Sequence, residues 1–246
     1  MSHHIVEARD LHYTYPDGTA ALKGISFRIT HGEAVALIGA NGSGKSTLLL
    51  HLNGCLMPTS GEVRIGETPL TRRTVVAARR AVGMVFQDPD DQLFMPTVFE
   101  DVAFGPINAD LSADEVERRV VLALERVGMG HLRERPPYRL SAGEKRAVAI
   151  ATVLAMAPDV LVMDEPSSNL DPRGRRRLIG LLKSFEHTRI IATHDLELAV
   201  EVCSRAIVLD DGRVMADGPA LAILNNEGLM LAHGLERPHS LSLQKI

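Results

Sequence analysis

The residues with the clearest chemical potential lie between Gly39 and Ser46. This stretch reads Gly-Ala-Asn-Gly-Ser-Gly-Lys-Ser and fits the pattern G-x-x-x-x-G-K-[ST] at every fixed position. Its glycines carry no side chains, so the backbone can close around a phosphate and point N–H groups inward. Lys45 would reach the β- and γ-phosphates of a nucleoside triphosphate, and the Ser46 hydroxyl would hold Mg²⁺. The predicted phosphate-binding residues are Gly39, Ala40, Asn41, Gly42, Ser43, Gly44, Lys45, Ser46 and Thr47.

The segments on either side of this loop have the order that a phosphate site requires. Val35 to Ile38 is an apolar run that predicts a buried strand, and the apolar residues Leu48 to Leu50 predict a helix. A helix that begins near Lys45 adds unpaired N–H groups and the positive end of its dipole. The alternative is a glycine-rich turn that binds nothing, which explains the glycines but not the flanking strand and helix.

A second predicted strand ends in a pair of carboxylates. Val160 to Met163 is apolar, and Asp164 and Glu165 follow it directly. Asp164 would hold Mg²⁺ through its coordination shell, and Glu165 would face the γ-phosphate and polarise the attacking water. The alternative is a strand that ends in surface acids. The glycine loop upstream favours the catalytic interpretation.

Polar side chains follow two more predicted strands. Gln87 comes after Val82 to Phe86, and His194 comes after Arg189 to Thr193. In an α/β protein the carboxyl ends of the strands border the ligand. Gln87 is therefore placed to contact the ligand, and His194 to contact the γ-phosphate. An ordinary loop glutamine and a structural histidine are the alternatives.

Two positions are open to two interpretations each. Tyr15 lies in the turn between two predicted strands, where it could stack on a nucleobase or pack on its own hairpin. Ser141 and Glu144 open an alanine-rich helix and fit a capping box, which is a sufficient structural explanation. A serine and a glycine at the start of a helix can also bind an anion. Local chemistry does not separate these two interpretations.

Composition and the order of elements predict an α/β domain. The 246 residues are 45% hydrophobic and 24% charged, which is ordinary for a globular protein. Predicted strands at residues 5–14 and 25–30 indicate an antiparallel layer ahead of the glycine loop. Later strands alternate with helices except in a helical block, where Thr97–Glu100 and Ser112–Glu115 fit capping boxes. We expect a single domain over residues 1–246 with a helical subdomain inserted at about residues 88–155.

Charge and hydropathy limit the classes of partner. The net charge of −4 gives no general attraction to nucleic acid. The start of the chain carries histidines and charges instead of the apolar core of a signal peptide. No apolar run approaches the ~20 residues of a membrane span. A role at a membrane is therefore expected to depend on a partner.

Taken together, these motifs resemble the ATP-binding subunits of ABC transporters over nearly the whole chain. GANGSGKST is similar to the Walker A motif of that family, VLVMDE to its Walker B motif and LSAGE to its signature motif. Gln87 matches the Q-loop glutamine, and residues 168–171 match the D-loop. His194 matches the switch histidine, and Tyr15 matches the aromatic residue that stacks on adenine. The resemblance implies an α/β P-loop NTPase of the ABC type, with a parallel-sheet core, an antiparallel β layer and the inserted helical subdomain.

The resemblance also implies an ATPase that uses ATP and Mg²⁺, with a role for each motif residue. The implied catalytic residues are Glu165, His194 and Lys45. The implied Mg²⁺ ligands are Ser46, Gln87 and Asp164. ATP would be bound by Tyr15, Gln87 and the phosphate-binding residues named above. The signature residues that would act on the ATP of a second subunit are Ser141, Ala142, Gly143 and Glu144.

A finer resemblance is to the energy-coupling-factor branch, and within it to the cobalt and nickel import ATPases. VFQDPDDQLF, LSAGEKR and DEPSSNLDP carry this likeness. It implies a head-to-tail dimer, often of two identical copies in metal systems, at the cytoplasmic face of the cell membrane. An integral membrane coupling subunit and a substrate-binding membrane subunit would complete the importer. Import of a vitamin such as biotin is the alternative. The signature departs from the family pattern at Ala142, at Glu144 and at Arg146-Ala147, where Gln-Arg is usual.

The segment after Gln87 is the predicted docking surface for the membrane subunit. Leu93, Phe94 and Met95 look exposed there, although they could instead pack into the helical subdomain. The rival function is that of a soluble ABC ATPase acting on DNA or the ribosome. Residues 47–140 contain neither the heptad run nor the cysteine pair typical of such relatives, so we expect no nucleic-acid partner.

Overall fold

The computed structural model describes residues 4–242, which form two sheets surrounded by helices. The strands are β1 His4–Thr14, β2 Ala20–Thr30, β3 Ala34–Ile38, β4 Ser60–Ile65, β5 Thr68–Pro69, β6 Val82–Val85, β7 Val160–Asp164, β8 Thr188–Ala192, β9 Arg205–Asp210 and β10 Arg213–Pro219. The helices are α1 Lys45–Leu52, α2 Val75–Ala81, α3 Val98–Asn108, α4 Ala113–Arg126, α5 Ala142–Leu154, α6 Pro172–Ser184, α7 Leu196–Val202, α8 Ala220–Leu224, α9 Glu227–Ala232 and α10 His239–Ser242.

The central sheet has the strand order β10-β9-β3-β8-β7-β6. The pairs from β9 to β6 are parallel, and β10 is antiparallel to β9. Every residue of β3 and of β7 is buried, as expected for apolar strands covered on both faces. Because parallel strands end at the same edge of a sheet, the residues that follow β3, β6, β7 and β8 lie along one edge of the central sheet.

The second sheet is antiparallel, with the order β2-β1-β4-β5, and it provides the layer predicted ahead of the glycine loop. Its middle strand β1 carries a buried acid, Glu7. Arg9 contacts the Glu7 carboxylate at 2.7 Å, and the Arg28 guanidinium lies against its other oxygen. Hydrogen bonding from Arg9, and then from Arg28, lowers the pKa of Glu7 from 4.5 to about 2.

We predict that this cluster makes folding stability fall at acidic pH. Since the folded-state pKa of Glu7 is depressed, its contribution is present above the unfolded value and is lost as pH falls from 4.5 towards about 2. Glu7→Gln should lower the melting temperature at neutral pH by a few degrees. Thermal melts from pH 2 to 7 of the variant should also be flatter than those of the wild type. A variant with an unchanged melting temperature and pH profile would contradict this assignment.

Three helices, α3, α4 and α5, lie between β6 and β7 and pack against one another. Their buried side chains form one continuous hydrophobic cluster with side chains of the central sheet, including Val102, Val120, Ile150, Met163 and Ile191. The helices therefore share the core of the sheet instead of building a separate one. Within residues 4–242, no helix has both the length and the apolar character needed to cross a bilayer.

Two of the three predicted capping boxes are only half formed. The side chains of Thr97 and Ser112 accept hydrogen bonds from the backbone N–H groups of Glu100 and Glu115, at 3.2 and 3.4 Å. Neither glutamate completes the motif. Glu100 instead accepts from the Thr97 hydroxyl at 2.8 Å, and Glu115 pairs with arginines of its own helix at 2.7 Å. Each glutamate thus uses its carboxylate for another charge-assisted bond, Glu100 to the cap hydroxyl and Glu115 to arginines one turn further on.

Candidate active site

The glycine loop connects β3 to α1 and packs tightly against neighbouring strands. A Cβ atom at Gly39 would lie 2.2 Å from the Leu209 carbonyl oxygen, and one at Gly44 would lie 2.9 Å from that of Ala21. Gly44 also has a φ of +101°, in the left-handed region that favours glycine. It caps α1 without a side-chain hydrogen bond. The first N–H groups of the helix are thus available to an anion.

Lys45 is buried inside the loop, and its ammonium donates to the loop's own carbonyls. The Nζ atom lies 2.7 Å from the Gly39 oxygen and 3.0 Å from the Ala40 oxygen. Burial lowers the pKa of Lys45, and the nearby carboxylates of Glu165 and Asp164 oppose that shift. The ammonium is therefore held where the loop could present it to an anionic ligand.

Two buried polar atoms without partners indicate whether the site fits a phosphate and a divalent cation. Among the described residues, Ser43 Oγ and Asp164 Oδ1 are buried without a hydrogen-bond partner. Leaving such groups unpaired is costly. A hydroxyl donor in the glycine loop suits a phosphate oxygen, and a carboxylate oxygen at the strand end suits Mg²⁺. The residues present therefore fit both groups.

Asp164 ends β7 and faces the segment that follows β6. Burial raises the pKa of Asp164, and Glu165 adds to the rise, whereas Ser46, Lys45 and Arg146 oppose it. A cavity of about 440 Å³ has both Asp164 and Gln87 in its wall. Asp164 thus lies near the Ser46 hydroxyl and shares a cavity wall with Gln87. The three side chains carry oxygen atoms of the kind that Mg²⁺ prefers as ligands.

Glu165 is held in an unusual backbone conformation. Its φ is +46°, which costs about 1–3 kcal/mol for a residue other than glycine. Its N–H donates to the Ala192 carbonyl at 2.9 Å. Its Oε2 atom accepts from the Thr193 hydroxyl at 3.2 Å and from the His194 N–H at 3.2 Å. The strand end of β8 therefore fixes one carboxylate oxygen of Glu165 and offsets the strain.

His194 lies beside this carboxylate. Its Nδ1 atom is 2.7 Å from Glu165 Oε2, and its side chain is 68% exposed. The imidazole therefore reaches from the sheet edge into open space next to Glu165. Thr193, which the sequence reasoning did not single out, holds Glu165 directly through its hydroxyl. The same hydroxyl accepts from the N–H of Asp195, the residue after His194, at 2.9 Å. A buried threonine at a strand end has no local signal that distinguishes it from a core residue.

Tyr15 is tied to the helix that follows the glycine loop. Its hydroxyl lies 2.9 Å from Thr47 Oγ1, and its ring meets the edge of Tyr13 with centroids 4.9 Å apart. Tyr13 in turn contacts His51 of α1, at 4.7 Å between ring centroids. The ring thus packs on its own hairpin and also borders the phosphate site. Stacking of the Tyr15 ring on a nucleobase stays a prediction.

The signature segment forms the full capping box predicted for it at the start of α5. Glu144 Oε2 accepts from the Ser141 N–H and hydroxyl, both at 2.8 Å, and the Ser141 hydroxyl accepts from the Glu144 N–H at 3.4 Å. Ser141 and Ala142 are exposed. In the described range 4–242, no hydrogen bond joins this segment to the glycine loop. It lines a different cavity, of about 500 Å³, together with residues 169–171.

The structure therefore brings together one set of predicted residues and not another. The residues gathered at the sheet edge are Lys45, Ser46, Gln87, Asp164, Glu165 and His194. Such an edge can bind a triphosphate, hold a divalent cation and place a carboxylate near the terminal phosphate. The signature residues open towards solvent instead.

Comparison with known proteins agrees with this arrangement. The sequence profile of the family described as ABC transporter matches residues 22–168. A putative ABC transporter ATP-binding protein of Geobacter sulfurreducens is 65% identical, over 98% of this chain and 97% of its own length. The energy-coupling factor transporter ATP-binding protein EcfA of Methanocaldococcus jannaschii is 46% identical, over 99% of this chain and 89% of its own.

A solved structure shows the same fold over the whole chain. It is that of cbiO1 from Clostridium perfringens, described as part of the ABC transporter complex cbiONQ. Its TM-score is 0.82 at 41% identity, and the match covers 99% of this chain and 100% of the other. The predicted ABC ATPase fold is thereby confirmed. The chain belongs to the ABC transporter family, as an ATP-hydrolysing subunit of the type found in energy-coupling factor transporters.

Proposed function

We propose that this chain energises a membrane importer of cobalt or nickel ions by hydrolysing ATP. The observation that supports it most strongly is the gathering of Lys45, Asp164 and Glu165 at one sheet edge. The resemblance of VFQDPDDQLF, LSAGEKR and DEPSSNLDP to the cobalt and nickel import ATPases favours a metal cargo. In this proposal the subunit works at the cytoplasmic face of the membrane, through an integral coupling subunit and a substrate-binding subunit.

The chain's own residues suggest how hydrolysis proceeds. Lys45 exchanges the carbonyls of Gly39 and Ala40 for the β- and γ-phosphates. Ser46, Gln87 and Asp164 would hold Mg²⁺, which when bound would neutralise charge on the phosphate oxygens.

Glu165 supplies the base in this mechanism. Its Oε2 is occupied by Thr193 and His194, so the other oxygen is the one that accepts a proton from the attacking water. His194 keeps the carboxylate in place, and its exposed imidazole would stabilise charge on the γ-phosphate.

The second half of each ATP site is proposed to come from another copy of the chain. Capping the γ-phosphate from its far side requires a second set of donors, and a helix N-terminus provides them. The exposed start of α5, with Ser141, Ala142, Gly143 and Glu144, is suited to that role. Two copies arranged head to tail would then enclose two ATP molecules.

The proposed docking surface for the membrane subunit is an exposed apolar patch on the helical subdomain. It consists of Phe94, Phe104 and Ile107, which are 64%, 45% and 57% exposed. The rings of Phe94 and Phe104 meet edge to face at 5.0 Å. Of the three residues considered from sequence, Leu93 follows the alternative and packs into the helical subdomain, where it is only 8% exposed, and Met95 is half-buried.

The backbone at this patch is held by Asp101. Its Oδ1 atom accepts from the N–H groups of Phe94 and Met95, both at 3.0 Å. The carboxylate is buried, which raises the pKa of Asp101. Such a buried anchor favours a loop that keeps Phe94 turned outward for a partner.

We predict that Phe94→Asp prevents assembly with the membrane subunits, because it places a charge at the centre of an apolar contact. The matched control is Leu231→Asp on α9, since Leu231 is 62% exposed and lies outside the patch. Both variants should retain basal ATPase activity. Co-purification with the tagged coupling subunit is the measurement. Normal recovery of the complex with Phe94→Asp would show that the membrane subunit docks elsewhere.

The cargo is tested by uptake of radiolabelled cobalt and nickel. Cells would express this chain with the membrane subunits encoded beside it, and Lys45→Ala would serve as the inactive control. Uptake of either metal that disappears in the control supports the proposal. ATPase activity without metal uptake would contradict it and favour a vitamin as the cargo.

A further inference from the structure

We propose that Arg146 is a positioning residue that ties the Q-loop to the signature helix α5 and thereby sets Gln87 for Mg²⁺. The Q-loop is here defined as residues 86–92. This inference rests on the proposed function, in which Gln87 is a Mg²⁺ ligand. It concerns a side chain that lies two residues beyond Glu144, the last residue of the signature segment, and that the mechanism above does not use.

Arg146 is buried and bonded to the backbone of the Q-loop. It is only 2% exposed. Its Nη1 donates to the Phe86 carbonyl at 2.6 Å, and its Nη2 donates to the Gln87 carbonyl. Two neighbouring carbonyls are thus held by the two arms of one planar fork, a geometry that arginine offers and lysine does not.

Further bonds join the same loop to the same helix. The Phe86 N–H donates to Gln92 Oε1 at 3.2 Å. The Gln92 amide then donates to the Ala149 carbonyl at 2.8 Å and to Thr152 Oγ1 at 2.7 Å. On the outside, Lys145 pairs with Asp90 at 2.5 Å. The Q-loop is therefore attached to α5 along its length.

Burial disfavours the positive charge of Arg146 and lowers its pKa. The nearby carboxylates of Asp88, Asp164 and Glu165 oppose that shift and so partly offset the cost of burying the guanidinium. Asp164 is the proposed Mg²⁺ ligand, so Arg146 lies behind the metal site and contacts the loop that carries the second ligand. A partner of this kind orients a ligand without touching the metal.

Two consequences follow for the site. Without the fork, the carbonyls of Phe86 and Gln87 lose their partner, and the direction of the Gln87 side chain is no longer fixed. When Arg146 makes both hydrogen bonds, Gln87 and the Ser141 end of α5 move together. Binding of Mg²⁺-nucleotide at Gln87 would then set the position of the signature segment.

The test measures metal binding directly, with Mn²⁺ as the probe in place of Mg²⁺. Electron paramagnetic resonance would follow Mn²⁺ binding in the presence of a non-hydrolysable ATP analogue. A fluorescent nucleotide in EDTA would report metal-free binding. The variants are Arg146→Met and Arg146→Lys. The control is Arg79→Met, because Arg79 also donates to two carbonyls, those of Asn53 and Gly54, away from the site.

We expect Arg146→Met to weaken Mn²⁺ binding by about 10–100-fold, while metal-free nucleotide binding stays within about two-fold. Arg146→Lys should restore binding in part, and Arg79→Met should bind Mn²⁺ like the wild type. Unchanged Mn²⁺ affinity in Arg146→Met would overturn the inference, as would an equal loss in Arg79→Met. If Arg146→Met does not fold, the Mn²⁺ affinity of Arg146→Lys is compared with that of the wild type, and an unchanged affinity would overturn the inference. Failure of the wild type itself to bind Mn²⁺ with nucleotide would instead overturn the proposed function.

Discussion

Replacing Glu165 with glutamine should reduce ATP hydrolysis by about 10²–10⁴-fold, the usual loss when a positioned base is removed. The glutamine carbonyl can still accept from Thr193 and from the His194 N–H, as the Glu165 Oε2 atom does. The geometry of the site should therefore survive, and only proton acceptance is lost. ATP should remain bound, and the protein should accumulate as a dimer closed around it.

Single-turnover hydrolysis and size-exclusion chromatography with saturating Mg-ATP measure the two effects. Glu62→Gln is the control, since Glu62 pairs with Arg9 on the antiparallel sheet, away from the site. Its rate and oligomeric state should match those of the wild type. A Glu165→Gln protein that stays monomeric, or that hydrolyses ATP at the wild-type rate, would refute the role given to Glu165.

The second large effect is expected at Lys45. Removing its ammonium with Lys45→Ala should weaken ATP binding by about 10–100-fold, because a charge-assisted hydrogen bond to the phosphates is lost. The carbonyls of Gly39 and Ala40 also lose their donor, so the empty loop should become less ordered. Hydrolysis should fall below detection at ATP concentrations that saturate the wild type.

Isothermal titration calorimetry with ATP tests this prediction. Lys183→Ala is the control, because Lys183 lies in the last turn of α6 on the protein surface. If Lys45→Ala binds ATP as tightly as the wild type does, the loop is not the phosphate site. If it binds weakly but hydrolyses normally, the catalytic contribution of Lys45 is wrong.

Local pattern predicted most of what lies at the sheet edge. In a parallel sheet, burial on both faces makes each strand a continuous apolar run, so the strand can be predicted from sequence. Because parallel strands end at the same edge of the sheet, the position of the polar residue that follows each strand can be predicted as well. Asp164 and Glu165, and likewise His194, lie where this rule places them. The glycine pattern is explained at Gly39, because the Leu209 carbonyl oxygen leaves no room for a Cβ atom there.

The parts that were missed depend on contacts between distant segments. Arg146 reads as one more basic residue of a helix, yet it is buried against carbonyls 59 and 60 positions away. Leu93 reads as part of an exposed apolar stretch, but the turn before α3 directs it inward. Helices α2 and α7 are seven residues each, too short for a periodic pattern to stand out.

In the proposed function, each ATP is hydrolysed between two copies of this chain. Mixing two inactive variants distinguishes such a shared site from one that lies within a single copy. Lys45→Ala damages the phosphate loop, and Gly143→Asp damages the signature segment. A Cβ atom at Gly143 would meet only the Leu170 side chain, at 3.8 Å, so the second change leaves the fold room.

Each variant alone should be inactive, because every site in its dimer carries one defect. In a mixed dimer, one site combines an intact phosphate loop with an intact signature segment from the other chain. The account therefore predicts that mixing the two proteins restores ATP hydrolysis. If the mixture stays as inactive as its components, although both variants are folded and the mixed dimer is detected, the signature segment does not act across the interface.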